Sequence, residues 1–288
     1  MLRTTLFTLA ALGLTALALP ATPPEPAAFK LAARKLSEIE EKVPVTDPAT
    51  GVTQYATAKR TVPVNLTYEI NPAKCAVVVC DMWDDHWCKS AATRCAELAK
   101  QAEPVLKTCR DKGMTIIHCP SDTMAFYKDH PARKRTLAVK KVEPPKSKEL
   151  PNPPLPIDDS DGGCDDEKPV KSFKAWTRQH ATITIDGDKD YITDNGVEAY
   201  SVMKEKGIDT LFVMGVHTNM CVLHRSFAIK QMVKWDVKTF LVRDLTDAMY
   251  NPKMKPFTTH DKGTQLVIEF IEKNWCPSVE SKALAGAK

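Results

Sequence analysis

The stretch Leu211-Phe212-Val213-Met214-Gly215-Val216-His217-Thr218-Asn219-Met220-Cys221-Val222-Leu223 decides the fold of this chain. An apolar run stops at Gly215, small and polar residues follow, and from Cys221 to Met232 the apolar residues recur at helical spacing. This order predicts a buried strand, a tight turn and a helix with Cys221 near its N-terminus. Free backbone N–H groups and the helix dipole favour a thiolate there, so Cys221 is a candidate nucleophile. The alternative is an inert thiol that packs as a small apolar residue.

Strand-like and helix-like segments alternate on both sides of this stretch. The predicted strands are Ala76–Cys80, Met114–Cys119, Ala181–Ile185, Thr210–Met214 and Val237–Val242. The predicted helices are Ser90–Lys112, Gly196–Lys206, Val222–Met232 and Thr264–Lys273. Such alternation predicts an α/β fold, a three-layer sandwich with a central, mostly parallel sheet and helices on both faces.

Three segments lie outside this alternation. An N-terminal extension, residues 22–73, is predicted to hold an amphipathic surface helix at Ala27–Lys42 and a strand or hairpin at Val52–Ile70. A long loop insertion occupies about residues 120–179 of the main domain, which spans 74–277, and a tail follows at 278–288. The insertion is rich in proline and contains an acidic run at 158–167, which reads as a solvated turn because it lacks the ligand spacing of a calcium loop.

The first residues predict export. A basic start precedes the apolar run Leu6–Leu19, which is short for a membrane-spanning helix, so residues 1–21 are interpreted as a cleaved signal peptide. The mature protein is then periplasmic or secreted, without a membrane anchor, and some of its nine cysteines can pair. Cys88 and Cys164, both in polar loop-like sequence, are the predicted pair, while an odd count leaves at least one thiol free.

Composition narrows the class of partner. The chain has 288 residues, 43% of them hydrophobic, and a net charge of +4 with basic and acidic residues mixed. No dense basic stripe is present, so nucleic acid is not an expected ligand. A small-molecule substrate is expected instead, and homo-oligomer formation is left open.

A carboxylate stands at the end of the first core strand. Asp81 follows the continuous apolar run 76–80. In open α/β sheets, ligands bind beyond the carboxyl ends of the strands. Asp81 and the turn before Cys221 are therefore expected to share one cleft.

These residues resemble a known family. Asp81, the segment Gly215-Val216-His217-Thr218-Asn219-Met220-Cys221-Val222, and a later strand ending near Asp244 and Asp247 are similar to the isochorismatase-like cysteine hydrolases, which include nicotinamidases and other amidohydrolases. The resemblance covers roughly residues 74–276, interrupted by the insertion. It implies that Cys221 attacks, that Asp81 is the base, and that the backbone N–H groups of His217 and Cys221 hold the oxyanion, with a cis peptide bond just before His217.

The family also has a lysine near the cysteine and the aspartate, and here the resemblance is incomplete. One register brings Lys189 to that position, and the other, which continues the extended pattern at Ile192, brings Asp194 there. We prefer the second register, so Asp194 is the candidate catalytic residue at the family lysine position. Lys174 or Arg178 of the insertion is then a candidate substitute for the missing cation.

The metal site of nicotinamidases is not matched either. Asp122 can correspond to its aspartate, but Met124 stands where a histidine is expected, and only His130 follows. We therefore assign no metal ligand and no cofactor, although a divalent metal at the histidines and at Asp84 and Asp85 is left open. Trp83, His86 and Trp87 are candidate pocket residues; the alternative is that the two tryptophans pack under the insertion. The histidines in question are His86, His118, His217, His224 and His260.

Two functions follow from these observations. The first is an exported hydrolase that cleaves a small amide or related acyl compound through a thioester on Cys221. The second is a catalytically silent protein that binds small molecules on the same fold, and the missing lysine favours it. The nucleophile and base pair at Cys221 and Asp81 favours the hydrolase.

Overall fold

One eight-stranded sheet organises residues 27–285, the part of the chain that the computed structural model describes. The strands are β1 (Phe29–Thr46), β2 (Thr53–Ile70), β3 (Cys75–Cys80), β4 (Thr115–Cys119), β5 (Tyr191–Ile192), β6 (Thr210–Val216), β7 (Lys238–Asp247) and β8 (Ser278–Val279). Their order is β2-β1-β8-β7-β6-β3-β4-β5. The six strands from β8 to β5 are mutually parallel, whereas β1 is antiparallel to both of its neighbours, which confirms the predicted mostly parallel sheet.

Helices cover both faces of the sheet. They are α1 (Lys89–Asp111), α2 (Met124–Tyr127), α3 (Pro131–Ala138), α4 (Gly196–Glu205), α5 (Cys221–His224), α6 (Ile229–Lys234), α7 (His260–Asn274) and α8 (Ser281–Ala285). Alternate residues of a strand point to opposite faces. In β3, Val78 packs in a core with residues of α4, α6 and α7, and Val77 packs in a second core with residues of α1. Two cores separated by one sheet make the predicted three layers.

The prediction of a surface helix at Ala27–Lys42 is wrong. These residues lie in β1, which pairs with β2 along 18 residues of each strand. The burial alternates as in a strand: Leu31 and Ala33 are buried, and Ala32 between them is exposed. The spacing of the apolar residues in this segment fits both the helical and the strand period. Only the pairing with β2 shows that the segment is a strand. The prediction of a strand at Val52–Ile70 is confirmed.

Smaller corrections concern an edge strand, one helix, the insertion and the C-terminal tail. The predicted strand Ala181–Ile185 is irregular, and the edge strand is β5 instead, because Tyr191 and Ile192 pair with β4. The predicted helix Val222–Met232 is two short helices, α5 and α6, separated by residues 225–228. The insertion contains α2 and α3, and the predicted tail contributes β8 and α8 to the body.

The predicted signal peptide, residues 1–21, lies within residues 1–26, outside the described residues. Among the residues from 27 to 285, no helix has both the length and the apolar character that a membrane crossing requires.

A disulfide fastens the insertion to the body, as predicted. Cys88, directly before α1, is bonded to Cys164 across 76 residues of sequence. The neighbouring residues of the acidic run are paired rather than solvated: Asp165 accepts from Arg94 Nη1 at 2.8 Å, and Asp166 accepts from the backbone N–H of Lys89 at 2.8 Å. The predicted solvated turn is therefore an anchor at the start of α1.

Removing this disulfide is expected to cost about 4 kcal/mol of stability, because a cross-link over a loop of this length restricts the unfolded chain strongly. We predict that the double variant Cys88→Ser, Cys164→Ser unfolds at a lower urea concentration than the unmodified protein. A reducing agent should lower the midpoint of the unmodified protein to the same value and leave the variant unchanged. Equal midpoints for oxidised protein and variant would contradict the prediction.

Candidate active site

The candidate site lies at the carboxyl edge of the parallel sheet, where β3 and β6 are neighbours. Asp81 follows β3, and the turn of residues 217–220 connects β6 to Cys221 at the start of α5. Asp81 has φ 47°, a left-handed conformation that is uncommon outside glycine, although aspartate tolerates it better than most residues. Strained residues of this kind concentrate at functional sites.

Gly215 allows the two strand ends to approach each other. Its φ is +116°, and a Cβ atom built there would collide with the carbonyl oxygen of Cys80. Glycine is therefore the residue that this contact requires. The register between β6 and β7 also shifts between Val213 and Gly215, so the chain leaves the regular sheet before the turn.

Asp81 is fully buried and held by two donors. One carboxylate oxygen accepts from the backbone N–H of Ser121 at 2.7 Å, and the other accepts from Arg225 Nε at 3.0 Å. Burial raises the pKa of Asp81, while the charge of Arg225 opposes the rise. A carboxylate with a raised pKa holds a proton more readily, which suits a general base.

The thiol of Cys221 is near both of these charged groups, because the carboxylate of Asp81 and the guanidinium of Arg225 both act on its pKa. It is a free thiol and only partly buried, whereas the other free cysteines in the described part of the chain are buried. Burial and the neighbouring carboxylate of Asp81 raise the pKa of Cys221 to about 12. The expectation that the helix start favours a thiolate is therefore corrected: α5 has only four residues, and burial and the carboxylate of Asp81 both favour the protonated thiol. A resting thiol needs a base that removes its proton.

Arg225 supplies the cation that the sequence interpretation missed. It lies four residues after Cys221, one helical turn away, with its Nη2 at 3.6 Å from Asp122 Oδ2. Asp81 and Cys221 raise the pKa of Arg225 above its ordinary value, although burial acts in the opposite direction. The available signal was the i, i+4 spacing from the nucleophile, which places two side chains on one face of a helix.

The residues predicted around the family lysine lie elsewhere. Lys189 precedes β5, at the opposite edge of the sheet from Asp81, where it is exposed and 3.8 Å from Asp186. Asp194 follows β5 and accepts from the backbone N–H of Asp122 at 3.2 Å, so it borders the site and its catalytic role stays a prediction. Of the predicted substitute cations, Lys174 donates to the Asp122 carbonyl, and Arg178 lies over the ring of Phe126.

The backbone around His217 has the form that the family resemblance implies. The Val216–His217 peptide bond is cis. The N–H groups of Met220 and Val222 donate to the His217 carbonyl at 3.0 and 3.2 Å. Within the described residues, the N–H groups of His217 and Cys221 donate to no backbone or side-chain acceptor. Two unused donors beside the thiol can hold an oxyanion.

The side chain of His217 is buried and packs against His86, with ring centroids 5.0 Å apart. Its Nε2 atom has no hydrogen-bond partner among the described residues. Burial lowers the pKa of His217 to about 3 and that of His86 to about 4. Both imidazoles are therefore neutral at pH 7.

These two histidines predict a loss of stability in acid. An unfolded imidazole binds a proton near pH 6.5, whereas the folded ones resist until about pH 4 and about pH 3, so the unfolded state binds more protons as the pH falls below 6.5. Each contributes a slope of about 1.4 kcal/mol per pH unit. Urea unfolding at pH 7, 6 and 5 should show this slope, and the variant His86→Gln should reduce it. An unchanged slope in His86→Gln would contradict the prediction.

The aromatic residues fit the second of the two predicted alternatives, which is packing under the insertion. Trp83 is buried and stacks on Trp176 of the insertion, with ring centroids 4.0 Å apart. The ring of His86 is also stacked with Trp176, at 5.7 Å. Trp87 packs with Cys88 and Cys164 rather than beside Cys221. A role of Trp83, His86 and Trp87 in ligand binding stays a prediction.

Within the described residues, the histidines and aspartates considered as metal ligands form no close group at Cys221. His130 caps α3 by accepting from the backbone N–H of Ala132 at 3.2 Å. His118 bonds with Asp190 at 3.0 Å, and His260 bonds with Asp247 at 2.8 Å. Within residues 27–285, the group of three close ligand atoms is Cys88, Cys164 and Asp166, where both sulfurs belong to the disulfide.

An open cleft of about 610 Å³ leads to the thiol. Its walls come from the turn and α5 on one side and from the insertion on the other. The lining residues are Leu155, Asp159, Asn219, Met220, Cys221, His224 and Arg225. The cleft is large enough for a small-molecule ligand.

Comparison with known proteins gives structural matches only. No protein-family model and no curated protein matches the sequence. A cysteine hydrolase from Pseudomonas syringae pv. phaseolicola is 16% identical, covers 75% of this chain and 92% of its own, and has a TM-score of 0.46. An N-carbamoylsarcosine amidase from Thermoplasma acidophilum is 14% identical, covers 72% of this chain and 96% of its own, and has a TM-score of 0.40. An isochorismatase family protein from Burkholderia thailandensis is 12% identical, with coverages of 75% and 95% and a TM-score of 0.43.

Proposed function

We propose that this chain is an isochorismatase-like cysteine hydrolase that cleaves a small amide or related acyl compound. One observation carries the proposal: the Cys221 thiol, the Asp81 carboxylate and the Arg225 guanidinium meet at the end of a wide cleft. A nucleophile, a base and an ionic partner that orients the base are the parts that covalent hydrolysis needs.

The first half of the reaction forms a thioester. Asp81 takes the proton of the Cys221 thiol as the sulfur attacks the carbonyl carbon of the substrate. The backbone N–H groups of His217 and Cys221 hold the oxygen that becomes negative. When the C–N bond breaks, Asp81 returns its proton to the leaving amine, which departs and leaves the acyl group on sulfur.

The second half consumes one water molecule. Asp81, again ionised, takes a proton from a water molecule while the oxygen of that water attacks the thioester carbon. The carbon–sulfur bond then breaks, the carboxylic acid leaves, and the sulfur recovers the proton. The sum is amide plus water to acid plus amine, with the protein unchanged.

Arg225 performs the task that the family assigns to lysine, in this proposal. Its Nε bond fixes one oxygen of Asp81, and its charge opposes the rise in pKa that burial causes at that carboxyl group. The missing lysine favours the silent binding protein, whereas the position of Arg225 beside Asp81 supports the hydrolase.

The proposal is tested by incubating the protein with a panel of small amides and following the release of ammonia or amine. Intact-mass spectrometry of the quenched mixture should show the acyl mass added, and peptide mapping should place it on Cys221. Cys109→Ser, a change at a buried cysteine of α1, is the matched control and should retain both signals. Ligand binding without product or adduct, retained in Cys221→Ser, would support the silent binding protein instead.

We also infer that the mature protein is exported. The apolar run Leu6–Leu19 after a basic start is typical of a signal peptide, and a pairing such as Cys88–Cys164 is typical of oxidising compartments. Expression with the full N-terminus should give an extracytoplasmic protein shortened by about 20 residues, the usual length of such a peptide. A full-length protein retained in the cytoplasm would contradict the inference.

A further inference from the structure

One carboxylate of the acidic run 158–167 reaches the cleft of Cys221. Asp159 Oδ2 accepts from Asn219 Nδ2 at 2.7 Å. Asn219 is buried and is bonded in both directions to the backbone of Met249, at 3.1 and 2.8 Å. Because Asn219 lies two residues before Cys221, the insertion holds the carboxylate of Asp159 at a fixed place relative to the nucleophile.

The charge of Asp159 is not balanced within the cleft. Its Oδ1 atom accepts no hydrogen bond from the residues between 27 and 285. The cation that shares the lining, Arg225, already faces two carboxylates, those of Asp81 and Asp122. Burial and Lys230 lower the pKa of His224, which is therefore neutral at pH 7.

Another cation of this region, Lys230, is directed elsewhere. Lys230, which acts on His224, donates to the side-chain oxygen of Asn152 at 2.6 Å and lies over the ring of Trp275. The uncompensated charge that a ligand meets in the cleft is therefore negative. Leu155 and Met220 supply an apolar lining beside it.

We propose that the Cys221 cleft selects compounds in which the reacting carbonyl is joined, through a short hydrocarbon arm, to a positively charged group that binds Asp159. The amide part of this statement rests on the proposed function, whereas the preference for positive charge rests on the cleft alone. An ammonium or guanidinium group would bond to the free Oδ1 atom, and the arm would contact Leu155 and Met220.

Charged thiol reagents test the preference without any substrate. Trimethylammonioethyl and sulfonatoethyl methanethiosulfonate differ in charge, and each forms a mixed disulfide when the sulfur of Cys221 displaces methanesulfinate. Cys221 is the described free cysteine that is not buried, so the labelling is selective. We expect the ratio of cation to anion rates to exceed that of a simple free thiol by on the order of tenfold at low salt.

Substitution then assigns the preference to one side chain. In Asp159→Asn, which retains an oxygen that Asn219 can donate to, the ratio should fall most of the way to the free-thiol value. The control is Asp161→Asn, an exposed member of the same acidic run that bonds to Asn251 and does not line the cleft; its ratio should stay near that of the unmodified protein. A native ratio equal to the free-thiol value, or equal ratios in both variants, would overturn the proposal.

A second measurement separates this inference from the proposed function. Among paired amides that are alike except for a terminal ammonium or a terminal methyl, the ammonium member should have the lower KM, and Asp159→Asn should raise its KM about tenfold with little change in kcat. No turnover of any amide, with the reagent ratio still dependent on Asp159, would reject the hydrolase and retain the cation preference. Turnover that favours the methyl member would overturn the preference and retain the hydrolase.

Discussion

Replacing Cys221 by alanine is expected to abolish turnover of any amide that the unmodified protein cleaves, with kcat/KM reduced by on the order of 10⁴-fold or more. The sulfur atom forms the covalent intermediate, and within the described residues no other free thiol is accessible to take its place. Loss of a nucleophile removes the whole covalent route, so the effect should be in kcat rather than in KM.

The fold should tolerate this change, because Cys221 is only partly buried and alanine suits the first turn of a helix. Urea unfolding midpoints of Cys221→Ala and of the unmodified protein are expected to agree closely. Cys109→Ala is the control with the same substitution at a buried cysteine, and it should retain kcat. Turnover in Cys221→Ala within tenfold of the unmodified protein would exclude Cys221 as the nucleophile.

Replacing Arg225 by methionine is the change with the second largest expected effect, a fall in kcat/KM of about 100- to 1000-fold. Arg225 Nε bonds to Asp81 at 3.0 Å, and its charge lowers a pKa that burial raises. Without the guanidinium, the pKa of Asp81 rises further. A larger share of the protein then has Asp81 protonated at neutral pH and unable to act as a base.

The pH profile distinguishes this role from simple damage to the structure. Activity should be lost as the pH falls through the pKa of Asp81, and in Arg225→Met this acidic limb should lie at higher pH than in the unmodified protein. Arg225→Lys should restore part of the rate and part of the limb. Lys174→Met and Arg178→Met, which remove the cations suggested by the sequence, should leave the limb where it was. An acidic limb that does not move in Arg225→Met would rule out the proposed partnership with Asp81.

Predictions from the sequence were most accurate where the pattern of apolar residues fits only one type of secondary structure. Continuous apolar runs such as 76–80 and 210–214 must be covered on both faces, so they indicated central strands correctly. The segment 27–42 was predicted wrongly because its apolar residues satisfy both the helical and the strand period. Its partner, β2, begins only at Thr53, and no local rule states that the two segments pair.

The site was predictable in part for the same reason. Asp81 and Cys221 both follow buried parallel strands, and the carboxyl ends of parallel strands lie at one edge of the sheet. The cation was not predictable in this way, because an arginine on a helix is usually a solvated surface residue. The position of Asp159 was also not predictable, because the sequence of an acidic run does not show which of its carboxylates lines a cleft.

The amino-acid sequence by itself determined the layered α/β fold and the edge of the sheet at which Asp81 and Cys221 stand. These follow from apolar periodicity and from the handed, parallel connection of strands, which are local and general. Only the tertiary structure decided that Arg225 faces Asp81, that burial and Asp81 raise the pKa of Cys221, and that Asp159 borders the cleft. Those facts depend on burial and on distances between residues far apart in the chain, and a linear sequence carries neither.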